Sequence, residues 1–183
     1  MKKTLIIAAA LLTVLIAAGA TVAWLTASAS VSNTFTVGKI AIALDESTWT
    51  QQSKIYPGAE ISKNPTVTVK ANSEPCYVYV MVDNQLNDAV ADAVSLDIGS
   101  DWTSISTSGT KTVYRYNDIV PLSASDQALT PLFTKVTVDS TVVTEANIGL
   151  LDGKAIDIGA YAHQSNATTQ AAADAEALAH FGL

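Results

Sequence analysis

The sequence predicts an all-β protein, an antiparallel β-sandwich that carries one short α-helix at its C-terminal end. Two observations support this prediction. Short segments rich in Val, Ile, Thr and Tyr alternate between apolar and polar residues and are separated by Gly, Pro, Asn, Asp and Ser, which is the pattern of strands joined by turns. The last segment, residues 168–181, is instead rich in alanine, which favours a terminal helix.

The first 23 residues predict a secretory signal peptide. Two lysines come near the start, an apolar stretch covers residues 5–18, and small residues follow, as in the three regions of such a signal. Cleavage is expected between Ala23 and Trp24, and the triplet 27–29 is a second fit. The alternative is a retained anchor, since the apolar run 4–25 has about the 20 residues that cross a bilayer. Only this uncleaved signal would then hold the chain at the membrane.

Residues 24–183 are expected to form a single domain, because their number suits one core. The whole chain has a net charge of −7, and loss of Lys2 and Lys3 with the signal leaves eight basic and 17 acidic residues, a net charge of −9. Such an acidic surface repels nucleic acid, so no nucleic-acid partner is expected. The single cysteine, Cys76, excludes an internal disulfide and is predicted to be a small buried side chain.

Each predicted strand follows from its own pattern. Residues 33–44 change the parity of their apolar positions at Gly38, which predicts a bulge there. Pro57 and Gly58 predict a turn, after which Val67 and Val69 are expected on the buried side of a strand over residues 66–71. Further strands are predicted over residues 76–86, 101–107, 110–120, 131–139 and 154–165.

Three details refine this outline. The run 76–82 is almost wholly apolar or aromatic, which predicts a strand covered on both faces. The dipeptide Ser108-Gly109 is expected to form the turn of a hairpin, and residues 87–94 a short helix or an irregular loop. The C-terminal helix is expected to begin at a capping threonine, at position 168 or 169, and to present one stripe of side chains: Ala171, Ala175, Leu178 and Phe181.

The residues predict no catalytic site. His163 and His180 are 17 positions apart and lack the HExxH spacing of a zinc protease, so both are expected at the surface or at a boundary. No GxSxG elbow is present, and Cys76 has no basic neighbour that would activate its thiol. The acidic pair Asp45 and Glu46 is expected at a solvated strand end. We therefore expect no enzyme activity, no cofactor and no metal.

Three further patterns each have two explanations. An oxygen-rich stretch either holds calcium weakly or is a solvated loop, since it lacks the DxDxDG pattern; its members are Asp83, Asn84, Asn87, Asp88 and Asp92. Five tyrosines either form a sugar-stacking platform or pack within the sheet; they are Tyr77, Tyr79, Tyr114, Tyr116 and Tyr161. The triplet 166–168 matches a glycosylation sequon, which also arises by chance.

Residues 18–44, 56–82 and 160–178 together resemble one family. Their sequences are AGATVAWLTASASVSNTFTVGKIAIAL, YPGAEISKNPTVTVKANSEPCYVYVMV and AYAHQSNATTQAAADAEAL. They resemble the TasA/camelysin family of secreted bacterial proteins with a SipW-dependent type of signal peptide. The most specific part is the signal junction followed at once by the strand NTFTVGKI.

This resemblance implies a jelly-roll β-sandwich that a Gram-positive bacterium exports to its extracellular matrix or cell surface, where it would assemble into biofilm fibres. It also implies processing by a dedicated signal peptidase at a junction similar to Thr21-Val22-Ala23, and sister matrix proteins as further partners. Relatives of the camelysin type are described as casein-cleaving metalloproteases. Because this sequence has no recognisable zinc motif, that activity is not carried over.

The implied assembly has a physical mechanism, strand donation. A sandwich that lacks one strand exposes unpaired backbone groups and an apolar groove, which an extended segment of a neighbouring copy completes. Such a head-to-tail contact does not close, so it propagates as a homopolymer. The donor is expected within residues 24–37, with the anchoring side chains Trp24, Leu25, Val31, Phe35 and Val37. The alternative is a frayed tail over residues 24–32, followed by an ordinary first strand.

The function expected first is therefore that of a secreted structural protein that forms extracellular fibres. The main rival is an exported module that binds carbohydrate or another surface component through its tyrosines. A camelysin-like secreted protease is the third hypothesis.

Overall fold

A computed structural model describes residues 38–46 and 54–183 of the chain. The expected signal peptide and its cleavage position between Ala23 and Trp24 lie outside the described residues. The same holds for all of the expected donor side chains, Trp24, Leu25, Val31, Phe35 and Val37. Within the two described ranges, no helix is long and apolar enough to cross a bilayer.

Strands dominate the described part of the chain. They are β1 (Ile42–Asp45), β2 (Glu60–Ser62), β3 (Thr66–Val69), β4 (Cys76–Asn84), β5 (Val94–Leu96), β6 (Trp102–Ser108), β7 (Lys111–Tyr116), β8 (Gln127–Ala128), β9 (Lys135–Val138) and β10 (Ile156–Gln164). The helices are α1 (Gln85–Ala89) and α2 (Gln170–Phe181), and a 3-10 helix covers Ile148–Leu151. The prediction of an all-β protein with a short C-terminal helix is confirmed.

The strands form three antiparallel sheets, with the orders β10-β4-β7-β6, β1-β3-β8 and β2-β9-β5. One apolar core joins them, because it takes buried residues from each sheet, among them Val80 of β4, Val69 of β3 and Val136 of β9. Val67 and Val69 are both buried, as their alternation predicted. Full burial of one such side chain stabilises the fold by about 1.5–3 kcal/mol.

Strand β4 is covered on both faces, which confirms the prediction from its apolar run. Val78 and Val80 face the main core. Tyr77 and Tyr79 face the other way, into a second cluster that includes buried alanines of α2. The four-stranded sheet therefore lies between the main core and the C-terminal helix.

Two predicted backbone features, a bulge and a hairpin turn, differ from the structure. The bulge at Gly38 is wrong, because β1 begins only at Ile42. A Cβ at Gly38 would lie 2.6 Å from Cγ of Glu74, so this glycine makes room for a side chain. The hairpin turn lies one residue later than predicted, since Ser108 still pairs with Lys111 in the ladder between β6 and β7.

The Pro57-Gly58 turn is confirmed. The N–H of Ala59 donates to the carbonyl of Tyr56 at 3.0 Å, and Gly58 has φ +77°, the conformation that glycine adopts freely at this turn position. The helix expected within residues 87–94 begins earlier, at Gln85.

Helix α2 begins after Thr169, whose hydroxyl accepts a hydrogen bond from the N–H of Ala172, so the predicted cap is confirmed at the second of its two positions. The predicted stripe is wrong in two members: Ala171 and Ala175 are exposed. Ala173 and Ala177 are fully buried instead. An alanine-rich helix offers several similar faces, so contacts with the sheet decide which one is buried.

Candidate assembly groove

The pairing of β4 with β10 defines the two ends of the sandwich. Ile156 pairs with Asn84, and Gln164 pairs with Cys76. Nine paired residues at about 3.4 Å per residue make this ladder roughly 27 Å long. We call its two ends the Asn84 end and the Cys76 end.

The described chain enters at the Cys76 end. The N–H of Glu74 donates to the carbonyl of Lys39 at 2.9 Å, and the N–H of Ser165 donates to the carbonyl of Pro75 at 2.8 Å. The residues just after Gly38 are therefore held beside the start of β4. Gly38, the first described residue, therefore lies at the Cys76 end.

An open groove lies towards the Asn84 end. Its volume is about 650 Å³, within the range of roughly 300–1,000 Å³ that binding pockets commonly have. Eight of its 13 lining residues are apolar: Leu44, Ile55, Ile61, Leu86, Val136, Ala155, Ile156 and Ile158. The charged residues that line it are Asp45, Glu46, Lys63, Lys154 and Asp157.

The groove is bordered by edge strands of all three sheets. β1, β2 and β10 each contribute lining residues, and each pairs on one side only among the described strands. An edge strand presents unpaired N–H and C=O groups to any further strand that approaches it. A wall of mixed apolar and charged residues between such edges suits an extended segment whose apolar side chains alternate with polar ones.

A buried ion pair holds the end of β1 against the groove wall. Nζ of Lys63 lies 2.7 Å from Oε1 of Glu46, and the side chain of Lys63 is only 6% exposed. Asp45 ends β1, as expected for this acidic pair. Solvation does not explain Glu46, however, because its carboxylate compensates a buried ammonium group. The sequence contained no signal for this partner, which lies 17 positions away.

The two histidines are brought to one tyrosine. The ring centroid of Tyr161 lies 4.4 Å from that of His180 and 6.3 Å from that of His163, with both imidazoles stacked. His180 is exposed at the end of α2 and His163 is partly buried in β10, in agreement with their predicted places. Within residues 38–46 and 54–183, no three His, Cys, Asp or Glu side chains form a group that would hold a metal ion.

The oxygen-rich stretch uses its amides to hold its own backbone. Oδ1 of Asn84 accepts from the N–H of Asn87 at 3.3 Å. The side chain of Asn87 donates to the carbonyl of Val94 at 2.9 Å and accepts from its N–H at 2.8 Å. The solvated-loop explanation is therefore wrong for both asparagines, because Asn84 ends β4 and Asn87 lies in α1.

The tyrosines lie on opposite faces of the four-stranded sheet. Tyr77 and Tyr79 lie beneath α2, whereas Tyr114 and Tyr116 pack against the main core. Burial, and then the hydrogen bond to Asp174, raise the pKa of Tyr79, so its hydroxyl remains a donor. Tyr161 packs with Tyr77 and Tyr79, so the five rings do not form one surface, and packing within the sheet explains them.

Cys76 is a free, buried thiol, as predicted. Burial raises its pKa to about 11. Because the thiolate is the reactive form of cysteine, this side chain is a packing residue.

A family model described as camelysin metallo-endopeptidase matches residues 1–105, more than half of the chain. No curated protein and no solved structure matches the chain. The family includes TasA-like proteins and is one of secreted or cell-surface proteins, so membership supports a secreted, matrix-related protein. The chain belongs to the camelysin metallo-endopeptidase family, in agreement with the resemblance that its sequence shows.

Proposed function

We propose that this chain is a secreted structural protein that assembles into extracellular matrix fibres, each copy donating an N-terminal strand to the next. The donor is the segment 24–37, and the acceptor is the groove at the Asn84 end. One observation supports this proposal above the others. The groove and the point where the chain enters the described sandwich lie at opposite ends.

The chemistry of donor and groove is complementary. The apolar residues of the groove wall offer burial to an added strand, and the single-sided edges of β1, β2 and β10 offer backbone hydrogen bonds. In the donor segment, Val31, Phe35 and Val37 share one parity, separated mostly by small polar residues. An extended backbone directs all three side chains to the same face, which would be the face towards the groove.

Opposite placement gives the assembly its polarity. A donor that leaves the Cys76 end of one copy and enters the Asn84 end of the next orients both copies alike. This contact does not close on itself, so it grows into a filament. The 14 residues from 24 to 37 extend to about 46 Å, which also exceeds the roughly 27 Å between the two ends. A copy could thus fill its own groove, and the experiment has to separate these two arrangements.

Electron microscopy and analytical ultracentrifugation of purified chains test the proposal. Residues 24–183 should elongate into fibres, whereas a chain that begins at Lys39 should remain monomeric and should bind a synthetic peptide of residues 24–37 saturably. In the longer chain, Ile158→Lys should prevent elongation by charging the groove wall. Ser104→Lys, on the exposed side of β6, is the matched control and should elongate normally.

Two results would contradict strand donation between copies. Residues 24–183 that stay monomeric under all conditions exclude fibres, and protection of the groove from hydrogen exchange in that monomer would indicate that each copy fills its own groove. Donation also needs a free donor end. The secreted chain should therefore begin at Trp24, and a first residue upstream of the signal junction would indicate an anchor.

The proposed role involves no catalysis. Because the family description names a metallo-endopeptidase, casein cleavage by the purified chain is the relevant assay. Cleavage that a chelator abolishes would overturn this part of the proposal and leave the question of fibres open to its own test.

A further inference from the structure

We propose that the two ends of the sandwich also pack directly on each other in the fibre, Ile119 and Leu122 of one copy against Tyr56 and Leu150 of the next. This inference rests on the proposed function. It adds a contact between folded bodies to the donated strand. The partner surface is that of a second copy of this chain.

The described part of the chain has large apolar side chains that are exposed to solvent, and most of them lie at the two ends of the sandwich. They are Leu44, Tyr56, Ile119, Leu122 and Leu150, with exposed fractions of 36%, 59%, 47%, 59% and 60%. Leu44 lines the groove itself. The other four divide into two pairs, one at each end of the sandwich.

Ile119 and Leu122 lie at the Cys76 end. They flank Val120, whose backbone exchanges two hydrogen bonds with Cys76, at 3.0 and 2.9 Å. The adjacent carbonyl of Ser123 accepts from the N–H of Asn72 at 2.7 Å. This pair therefore lies at the same end of the sandwich as Gly38 and Lys39.

Tyr56 and Leu150 lie at the Asn84 end. Tyr56 opens the turn in which the N–H of Gly58 donates to the carbonyl of Val138 at 3.1 Å. Val138 pairs with Val94. The side chain of Asn87, in α1, hydrogen-bonds both backbone groups of Val94, so Tyr56 lies near α1.

Leu150 belongs to the 3-10 helix, which contacts α1. The chain runs from there to Ala155, whose carbonyl accepts from the N–H of Gln85 at 3.1 Å. Tyr56 and Leu150 therefore both flank the end at which the groove opens.

Head-to-tail donation brings these two ends face to face. Scattered exposed apolar residues are ordinary on a protein surface, but here both pairs lie on the surfaces that donation would appose. The chain is acidic, with a net charge of −7, so approaching copies repel each other. Apolar contact at the ends would offset this repulsion, and a second attachment beside the donated strand would fix the orientation of neighbouring copies.

A charge-swap experiment on residues 24–183 tests the contact. The first variant carries Ile119→Glu and Leu122→Glu, and the second carries Tyr56→Lys and Leu150→Lys. Each variant alone should raise the critical concentration for elongation at least about tenfold, the effect of losing central interface side chains. A control variant with Ser104→Glu and Ser108→Glu adds the same negative charge to the exposed edge of β6 and should elongate like the native chain.

Mixing the two variants gives the decisive result. Every junction in an alternating filament is then either Glu against Lys or native against native, so the equimolar mixture should elongate although neither component does. Variants that elongate normally by themselves, or a mixture that does not recover, would overturn the end contact while native fibres still uphold strand donation. Absence of fibres from the native chain would overturn both.

Discussion

Replacing Asp174 with alanine is expected to weaken the attachment of the C-terminal helix to the sheet. The carboxylate of Asp174 accepts hydrogen bonds from the hydroxyl of Tyr79 at 2.9 Å and from Nη1 of Arg115 at 2.6 Å. The side chains of Arg115 and Asp174 are only 14% and 23% exposed. Water therefore screens this ion pair less than it screens a surface pair.

The expected magnitude follows from this partial burial. Removing one partner of a fully buried ion pair costs about 3–5 kcal/mol, whereas exposed pairs contribute about 0.2–1 kcal/mol. Asp174→Ala lies between these limits and also leaves the Tyr79 hydroxyl without its acceptor, at about 1 kcal/mol. We expect the free energy of unfolding to fall by about 2–3 kcal/mol, which is a fall of about 5–10 °C in Tm for a domain of this size.

Urea denaturation followed by tyrosine fluorescence measures this change. Glu176→Ala removes an exposed carboxylate from the same helix and serves as the control. Asp174→Asn keeps an acceptor for Tyr79 without the charge, so its stability should be intermediate. Adding Arg115→Met to Asp174→Ala should recover part of the loss, because no unpaired charge then remains. Equal stabilities of Asp174→Ala and the control would refute the reasoning.

Three further predictions concern single side chains. Cys76 should resist a thiol reagent at about pH 8 in the folded chain and react promptly after denaturation, because burial raises its pKa to about 11; equal rates in both states would show that it is accessible. Burial raises the pKa of Asp97, but hydrogen bonds from two backbone N–H groups and the Thr134 hydroxyl outweigh this and hold the pKa below its usual 3.8. Its stabilising effect is therefore present above that pH and lost as the pH falls through the folded value, so acid titration should destabilise the native chain more steeply than Asp97→Asn, and parallel curves would contradict this. A Cβ at position 159 would lie 3.3 Å from Cε1 of Phe181, so Gly159→Val should displace that ring and speed hydrogen exchange in α2, whereas unchanged protection would argue against the tight packing.

Predictions from the sequence were correct where a few consecutive residues determine the local structure. The run from Cys76 to Val82 predicted a strand buried on both faces, and the dipeptide Pro57-Gly58 predicted its turn. Thr169 caps α2 because its hydroxyl accepts from an N–H only three residues ahead. In each case the atoms that interact are neighbours in the chain, or the pattern reports the environment directly.

Predictions were wrong where several local arrangements fitted the sequence equally well. A glycine in a strand pattern indicates either a bulge or the close approach of another group, and Gly38 proved to be the second kind because Glu74 lies against it. The buried face of α2 contains Ala173 and Ala177 rather than the predicted alanines. Asp174 lies between these two positions in the chain, and its bonds to the sheet select this rotation of the helix.

The sequence by itself determined the all-β class, the central strand and the terminal helix, since alternation, turn residues and caps act over a few positions. Only the tertiary structure decided that edge strands of three sheets border one groove, and that this groove lies at the end opposite Gly38. It also decided that Glu46 pairs with Lys63 and that Arg115 pairs with Asp174. These arrangements join residues far apart in the chain, and many charged or apolar residues of the same type would have satisfied the local pattern equally well.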